Sequence, residues 1–225
     1  AEALAEFESI AGSLQRPQLA RLPQIWYPML QLRVNAESAK PEAERDWSQV
    51  DDLLDLLQEA GAVNPVQMAL LRAESLIRRG EKKAATDLLE EAAAASADPL
   101  VWAGLATLEL RTSGREAARG VLDRAPEAAR NSPPVLLVES QLSVGQPPEK
   151  AREILDAVEK RADTLPDEDA AQVYTTLAPL RLSTGDTAGA ERLWRAAAEK
   201  KPDDLGIREA LMDIAATEGN PEKAR

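Results

Sequence analysis

Carboxylates are the side chains whose number and clustering most directly suggest chemistry in this chain. Asp and Glu together supply 39 of the 225 residues. They cluster at Asp51, Asp52 and Asp55, at Glu90 and Glu91, and at Asp167, Glu168 and Asp169. Paired carboxylates can transfer protons or bind calcium, but none of these clusters has the spacing or the glycine of an EF-hand loop. The third cluster follows Pro166, where acidic residues stabilise a helix N-terminus. We therefore interpret all three as solvated helix faces and first-turn charges, and we predict no catalytic and no metal site.

Two missing residue types narrow the chemistry further. The chain has no histidine and no cysteine, which excludes His-dependent triads, thiolate nucleophiles and metals held by Cys or His. No glycine-rich phosphate motif occurs, and we predict no cofactor. The net charge of −12 disfavours nucleic acid, whose phosphates require Lys and Arg. No apolar run approaches the roughly 18 residues that span a bilayer, so we expect no membrane insertion.

The alanine content indicates which secondary structure the chain forms. It supplies 41 of the 225 residues, whereas aromatic residues make up only 3%. Alanine is the best helix former, and its small side chain lets two helices approach closely. The composition therefore predicts closely packed helices.

One segment carries a clear helix–turn–helix pattern. Its landmarks are Tyr174, Leu177, Ala178, Gly185, Ala190, Trp194, Ala197 and Pro202. The first three keep to one face of a helix, and the glycine permits the turn. The next three recur at steps of four and three on a second helix, which the proline ends. We interpret the aromatic landmarks, together with Trp102, as core packing rather than ligand stacking.

The same spacing recurs upstream at a nearly constant period. The sets are Leu53, Leu57 and Ala60; Ala85, Leu89 and Ala92; Ala118, Leu122 and Ala125; and Ala151, Leu155 and Val158. Their first positions are 32, 33 and 33 residues apart, and Ala190 follows after 39. Turn glycines fall between or after these sets at Gly80, Gly114, Gly145, Gly185 and Gly219. The 39-residue step predicts a longer connection over 163–169.

These residues and offsets resemble the tetratricopeptide repeat (TPR) family, whose 34-residue helix–turn–helix unit has this order of large, small, aromatic and proline positions. We assign units to 66–99, 99–132, 133–165 and 170–203, with an incomplete unit at 204–225. The third unit departs from the pattern, since Glu139 and Ser140 replace the small residue and Pro147-Pro148 enters the turn. The resemblance implies an all-α fold over 65–225, a right-handed α-α superhelix (TPR-like solenoid) of antiparallel helix pairs.

The first 64 residues are less regular, and we interpret them as a degenerate repeat with an insertion. Apolar spacing predicts helices over 2–15 and 46–60. Trp26-x-x-Met29-Leu30 echoes the first-helix landmark of the later units, although Pro28 interrupts it. The polar stretch Asn35–Arg45 predicts an elongated turn.

The resemblance implies a binding surface lined by first helices, because stacked helix pairs form a concave face. The predicted partner-binding residues are Gln67, Glu74, Arg78, Thr107, Arg111, Gln172, Thr175, Thr176, Glu209 and Asp213. Ordinary solvent exposure is the competing interpretation for each. One subfamily grips the C-terminal carboxylate of chaperones with Lys, Arg and Asn at set positions. Leu70, Leu71 and Glu74 stand at such positions here, so that role is not expected.

We therefore expect a non-catalytic protein–protein interaction scaffold that binds a protein or peptide on its concave surface. One alternative is a regulatory or targeting arm of a larger enzyme or assembly, because both chain ends interrupt helical patterns as in a piece of a longer repeat protein. A second is self-association through uncapped ends. We expect a soluble chain, with the cytoplasm favoured over the periplasm. The preference for Arg and Ala over Lys and Ile is common in GC-rich bacterial genomes and favours a bacterial source.

Overall fold

The structure, a computed structural model, describes residues 2–217 and is all-α over that range. By their internal contacts the residues fall into two compact units, Ala1–Ser96 (unit 1) and Ala97–Arg225 (unit 2). No strand occurs within 2–217. None of the helices in this range is long and apolar enough to cross a bilayer. The predicted boundary at residue 64 concerns repeats rather than compact units, and it stays a prediction.

Unit 1 contains six α-helices within its described residues. They are α1 (Glu2–Gly12), α2 (Arg16–Ala20), α3 (Pro23–Ser38), α4 (Ser48–Glu59), α5 (Pro65–Arg79) and α6 (Lys82–Ala95), with a 3₁₀ turn at Glu42–Glu44 before α4. Their core holds Trp26, Met29 and Leu30 of α3 against the leucines of α4. The predicted helices over 2–15 and 46–60 are confirmed. Helix α1 ends three residues earlier than predicted, and α4 begins two residues later and ends one residue earlier.

Helix α3 continues through Pro28 and ends at Ser38. The expected turn at Asn35–Arg45 is therefore wrong over its first four residues. An interior proline costs about 3 kcal/mol. Burying Met29 and Leu30 at the adjoining positions offsets this cost, since each contributes about 2 kcal/mol. The helix continues to Ser38 because Val34 is also buried. Only the part beyond Ser38 is a turn.

Unit 2 contains eight α-helices within its described residues. They are α7 (Pro99–Thr112), α8 (Arg115–Arg124), α9 (Glu127–Arg130), α10 (Pro133–Gln141), α11 (Pro148–Ala162), α12 (Asp167–Ser183), α13 (Thr187–Lys200) and α14 (Leu205–Thr217). Consecutive helices pack as pairs, α7 with α8, α10 with α11 and α12 with α13, as α5 packs with α6 in unit 1. Pro147 and Pro148 stand at the start of α11, where a missing N–H costs nothing.

The turn glycines are confirmed where the structure describes them. Gly80, Gly114, Gly145 and Gly185 have φ values of 86°, 96°, 69° and 77°, which L-residues rarely adopt. Gly61 takes the same conformation at the end of α4, and the spacing did not predict it. Gly219 lies outside the described residues.

Alanines fill the predicted close-packing positions with two exceptions, Ala60 and Ala92. The buried ones are Ala73, Ala85, Ala106, Ala118, Ala125, Ala151, Ala178, Ala190 and Ala197. Ala60 is exposed, and near the end of α6 Ala93 is buried whereas Ala92 is half-buried. The prediction of a longer connection over 163–169 is wrong. Only four residues separate α11 from α12, and α12 begins seven residues before Tyr174 instead. The extra length is helical because Ala170, Ala171 and Val173 are buried in the unit 2 core.

Candidate functional site

An open groove in unit 1 is the best-formed candidate site within the described residues. It lies between α3 and α5, which pack against each other, and encloses about 650 Å³. Its lining residues are Pro23, Trp26, Tyr27 and Gln31 of α3, Ala62 and Val63 of the α4–α5 connection, and Gln67, Leu70, Leu71 and Glu74 of α5. This volume falls within the range of small-ligand and peptide-side-chain pockets.

Two adjacent aromatic residues give the groove its apolar character. The Tyr27 side chain is 49% exposed, although tyrosine rings usually bury most of their surface. Trp26 is only 5% exposed, and the two rings meet edge to face with centroids 5.9 Å apart. Trp26 packs into the core because it shares a helix face with Met29 and Leu30. Tyr27, one position on, is thereby directed away from that core.

The Trp26 indole is an unsatisfied donor. Its Nε1 is buried and has no hydrogen-bond partner among residues 2–217. The Tyr27 hydroxyl likewise makes no hydrogen bond with a described residue. A buried donor without an acceptor costs about 1–3 kcal/mol. Because this nitrogen is buried, a ligand carbonyl oxygen would bond to it, and recover that cost, only when neighbouring side chains move aside.

The polar lining comes from α5, and two of the predicted partner-binding residues belong to it. Gln67 closes a capping box with Asn64, in which the Asn64 N–H donates to Gln67 Oε1 at 3.3 Å. The Gln67 carboxamide nitrogen remains available to donate. Glu74 accepts a hydrogen bond from Arg78 Nε at 2.8 Å. Arg78, the third predicted residue of unit 1, therefore neutralises Glu74 from beside the groove and does not line it.

The other predicted partner-binding residues lie in unit 2 and form no part of this groove. Thr107 and Arg111 lie on α7, Gln172, Thr175 and Thr176 on α12, and Glu209 and Asp213 on α14. The Thr175 and Thr176 hydroxyls both donate to the Gln172 carbonyl of their own helix, at 2.9 and 3.2 Å. Arg111, Gln172, Glu209 and Asp213 are exposed. Whether any of them contacts a partner stays a prediction.

Two of the three acidic clusters, the first and the third, form ion pairs with residues of other segments. Asp51 accepts from Arg79, Asp55 accepts from Arg72 at 2.6 Å, and Asp167 accepts from Lys200 at 2.5 Å. Glu168 lies 3.5 Å from Lys201. Within residues 2–217 no three acidic side chains come together as a metal site.

Unit 2 buries a charged network that sequence reasoning missed. The Arg181 side chain of α12 is 5% exposed and donates to Asp156 at 2.6 Å, Glu159 at 2.5 Å and Asp186 at 2.9 Å. Arg192 of α13 donates to Glu159 as well. Although burial lowers the pKa of Arg181, the three carboxylates raise it above its usual value. Arg181 and Arg192 thus join α11, α12 and α13 through shared carboxylates.

A second bridge explains the departures of the third unit from the repeat pattern. Glu139 of α10 is buried and accepts from Arg119 of α8 at 2.8 Å and from Arg161 of α11. Ser140 is fully buried and donates to the Leu137 carbonyl at 2.7 Å. Two arginines thus satisfy a carboxylate where the pattern expects a small residue.

Tyr174 adds one further bond to unit 2. Its hydroxyl donates to Asp163 Oδ1 at 2.7 Å. Burial, followed by this bond, raises the pKa of Tyr174 well above its ordinary value. Tyr174 is a core residue, as predicted, with its polar end satisfied within the fold.

The fold is thus that of an all-α protein of packed helix pairs. Comparison with known proteins assigns it to no narrower class. No protein-family model matches the chain, and no curated protein matches it. Among solved structures, the chain is similar to the crystal structure of BtubC (BKLC) from P. vanneervenii, a helical protein, with a TM-score of 0.46 and 16% identity. The match covers 89% of this chain and 87% of that one. We take neither a family nor a function from this likeness.

Proposed function

We propose that this chain is a non-catalytic interaction scaffold that binds a peptide segment of a partner protein in the unit 1 groove. The observation that carries the proposal is the Trp26–Tyr27 pair, a half-exposed ring beside a buried indole N–H that lacks an acceptor. Rigid aromatic side chains of this kind supply most of the energy at recognition surfaces. No described group in the groove is arranged as a nucleophile and base.

The remaining lining favours a peptide over a small apolar molecule. Leu70 and Leu71 offer an apolar wall, while the Gln31 and Gln67 carboxamides and the Tyr27 hydroxyl offer donors and acceptors. A peptide backbone presents one carbonyl and one N–H per residue beside alternating side chains. The groove offers both apolar and hydrogen-bonding groups, so it can bind both.

A solenoid of TPR-like helix pairs is the architecture that we propose for this scaffold. Its support is the recurrence of one arrangement: two packed helices joined at a left-handed glycine, with buried alanines where the helices meet. Solenoids of this kind present first helices for binding, and α5 stands in a first-helix position.

A display selection tests the proposal. The immobilised full chain is panned against random 12-residue peptides fused to phage through their C-termini. We expect wild type to enrich a peptide family that the Tyr27→Ala variant does not retain. Leu100→Ala is the matched control, because Leu100 is an exposed apolar residue on a helix of unit 2. Failure to enrich any peptide, or equal retention by Tyr27→Ala and wild type, would overturn the proposal.

A further inference from the structure

A second cavity adjoins the unit 1 groove. It encloses about 620 Å³ and shares Pro23 and Ala62 with the groove as lining residues. Its charged lining residues are Arg16, Arg21 and Glu59. The two cavities therefore form one extended surface, aromatic at one end and carrying two arginines against one carboxylate at the other.

These two arginines differ from every other arginine of unit 1. Arg16 and Arg21 are exposed, and neither side chain makes a hydrogen bond or ion pair with a residue in 2–217. The others are all bonded: Arg33 to Glu8, Arg45 to the Lys40 carbonyl, Arg72 to Asp55, Arg78 to Glu74 and Arg79 to Asp51. In an acidic chain, both unpartnered guanidinium groups of this unit thus line the same cavity.

The nearby end of α4 does not account for them. Arginine side chains often stabilise the last carbonyls of a helix. Here backbone N–H groups serve these carbonyls: Ala60 donates to Leu56 at 3.0 Å and Ala62 to Leu57 at 2.9 Å. The Arg16 and Arg21 donors remain free for a ligand.

We infer that the peptide bound in the groove carries an Asp or Glu side chain, which Arg16 and Arg21 bind while its apolar anchor packs against Tyr27. This inference rests on the proposed function and specifies the chemistry of its ligand. A guanidinium binds a carboxylate through two parallel hydrogen bonds, a geometry that lysine does not offer. The negative charge of this peptide side chain complements the positive charges of Arg16 and Arg21.

The helix geometry limits how far the acidic residue lies from the anchor. Pro23, which lines both cavities, and Tyr27 are four residues apart on α3, or about 6 Å along its axis. An extended peptide rises about 3.3 Å per residue. Allowing for the reach of an arginine side chain, the carboxylate lies about two to four residues from the anchor.

The peptide selection, repeated on charge variants of the full chain, tests this inference. Because the displayed peptides are fused through their C-termini, only side-chain carboxylates are offered. We expect wild type to enrich an Asp or Glu two to four residues from an apolar or aromatic residue. The double variant Arg16→Gln/Arg21→Gln should enrich the apolar residue without the acidic one. Arg130→Gln is the control, because Arg130 is exposed and its side chain has no partner within 2–217.

Affinities of the best peptide, made synthetically with an amidated C-terminus, give the magnitude. Each Arg→Gln substitution should raise the Kd by up to about fivefold, as for other exposed ion pairs. Replacing the peptide's acidic residue with Gln should cause the same loss in wild type and almost none in the double variant. Raising the salt concentration should weaken wild-type binding more than binding by the double variant.

The outcomes separate the two claims. Peptides that depend on Tyr27 but show no acidic preference would overturn the carboxylate inference and leave the groove proposal standing. An acidic preference that survives in the double variant would also overturn the inference. If no peptide depends on Tyr27, the proposed function itself fails. Circular dichroism melting of each variant should match wild type, since both arginines are exposed.

Discussion

Two sets of arginines, one in each unit, lie in contrasting surroundings. In unit 2, Arg181 is buried and bonds to Asp156 and Glu159 of α11 and to Asp186 at the start of α13, and Arg119 and Arg161 close on the buried Glu139. In unit 1, two arginines line an open cavity without a partner, next to a half-exposed tyrosine. The terminal nitrogens of Arg181 bond within the fold, although its Nε has no partner in 2–217, whereas the Arg16 and Arg21 side chains bond to no residue in that range.

This contrast separates structural charges from candidate binding groups. A charge bonded on several sides has little capacity left for a ligand, and removing its partner leaves a buried ion uncompensated. A group without a partner costs the fold little when it is removed, and it retains its full capacity for a ligand. The charged networks of unit 2 should therefore affect stability, and the groove of unit 1 should affect binding.

Removing the Arg181 guanidinium should produce the largest effect. Arg181→Met keeps much of the side-chain length but leaves Glu159 buried beside Asp156 and Asp186. We expect the free energy of unfolding to fall by about 3 kcal/mol in urea denaturation. Arg195→Met is the control, because Arg195 is half-exposed and among residues 2–217 pairs only with Glu191 of its own helix. Equal losses for the two variants would contradict the assignment of a structural role to the network.

Neutralising Glu139 should have a smaller effect. Glu139→Gln keeps the volume and one acceptor oxygen but removes the charge between Arg119 and Arg161. These arginines are partly exposed, so water can solvate them. We expect a loss of about 1–2 kcal/mol. Glu153→Gln, an exposed change on α11, is the control and should leave the free energy of unfolding unchanged. An equally unchanged free energy of unfolding in Glu139→Gln would show that the bridge is dispensable.

Removing the indole N–H of Trp26 tests the opposite behaviour in unit 1. Trp26→Phe keeps an aromatic ring in the core but deletes the donor. We expect the Kd for the selected peptide to rise by about three- to tenfold, the value of one hydrogen bond. Trp194→Phe makes the same chemical change in unit 2, and there the Kd should not move. Unchanged affinity in Trp26→Phe would mean that the indole N–H does not bind the ligand.

The smallest effect concerns Asp186 and its dependence on pH. Although burial raises the pKa of Asp186, hydrogen bonds from the Gly189 N–H and from Arg181 lower it below the ordinary 3.8. Because the pKa of Asp186 is lower in the folded than in the unfolded chain, its charge stabilises the fold at any pH above the unfolded-state pKa. This contribution disappears as the pH falls through the folded-state pKa. Asp186→Asn still accepts from Gly189, so it should cost less than about 1 kcal/mol at pH 7.

Urea denaturation at pH 7 and at pH 3 checks this prediction. The difference between wild type and Asp186→Asn should shrink as the pH falls below 3.8. Asp123→Asn, an exposed change on α8, is the control. A difference that stays constant across this range would show that the Asp186 charge does not contribute.

Spacing predicted the helices well because helix ends have local causes. Proline starts and left-handed glycines depend on neighbours within a few residues, as at Asn64–Gln67 and Gly80. The predictions failed where burial overrode a local signal. Helix α3 passes through Pro28, and α12 gains two turns before Tyr174.

The candidate site was only partly predictable. Gln67 and Glu74 were predicted from their register, and both line the groove. Tyr27 was missed because the Trp26-x-x-Met29-Leu30 spacing identifies the buried face and says nothing of what the opposite face meets. The Arg181–Glu159 pair was missed because 22 residues separate the two. Only the packing of α11 against α12 brings them together.

Resonances of the tryptophan indole N–H groups test the central claim most directly. The full chain has four tryptophans, Trp26 and Trp47 in unit 1 and Trp102 and Trp194 in unit 2. In a titration with the selected peptide followed by NMR, we predict that the Trp26 signal moves downfield as its N–H gains an acceptor. The Trp102 and Trp194 signals should stay in place. A peptide that binds while the Trp26 signal is unmoved, or that shifts only the unit 2 signals, would contradict the account.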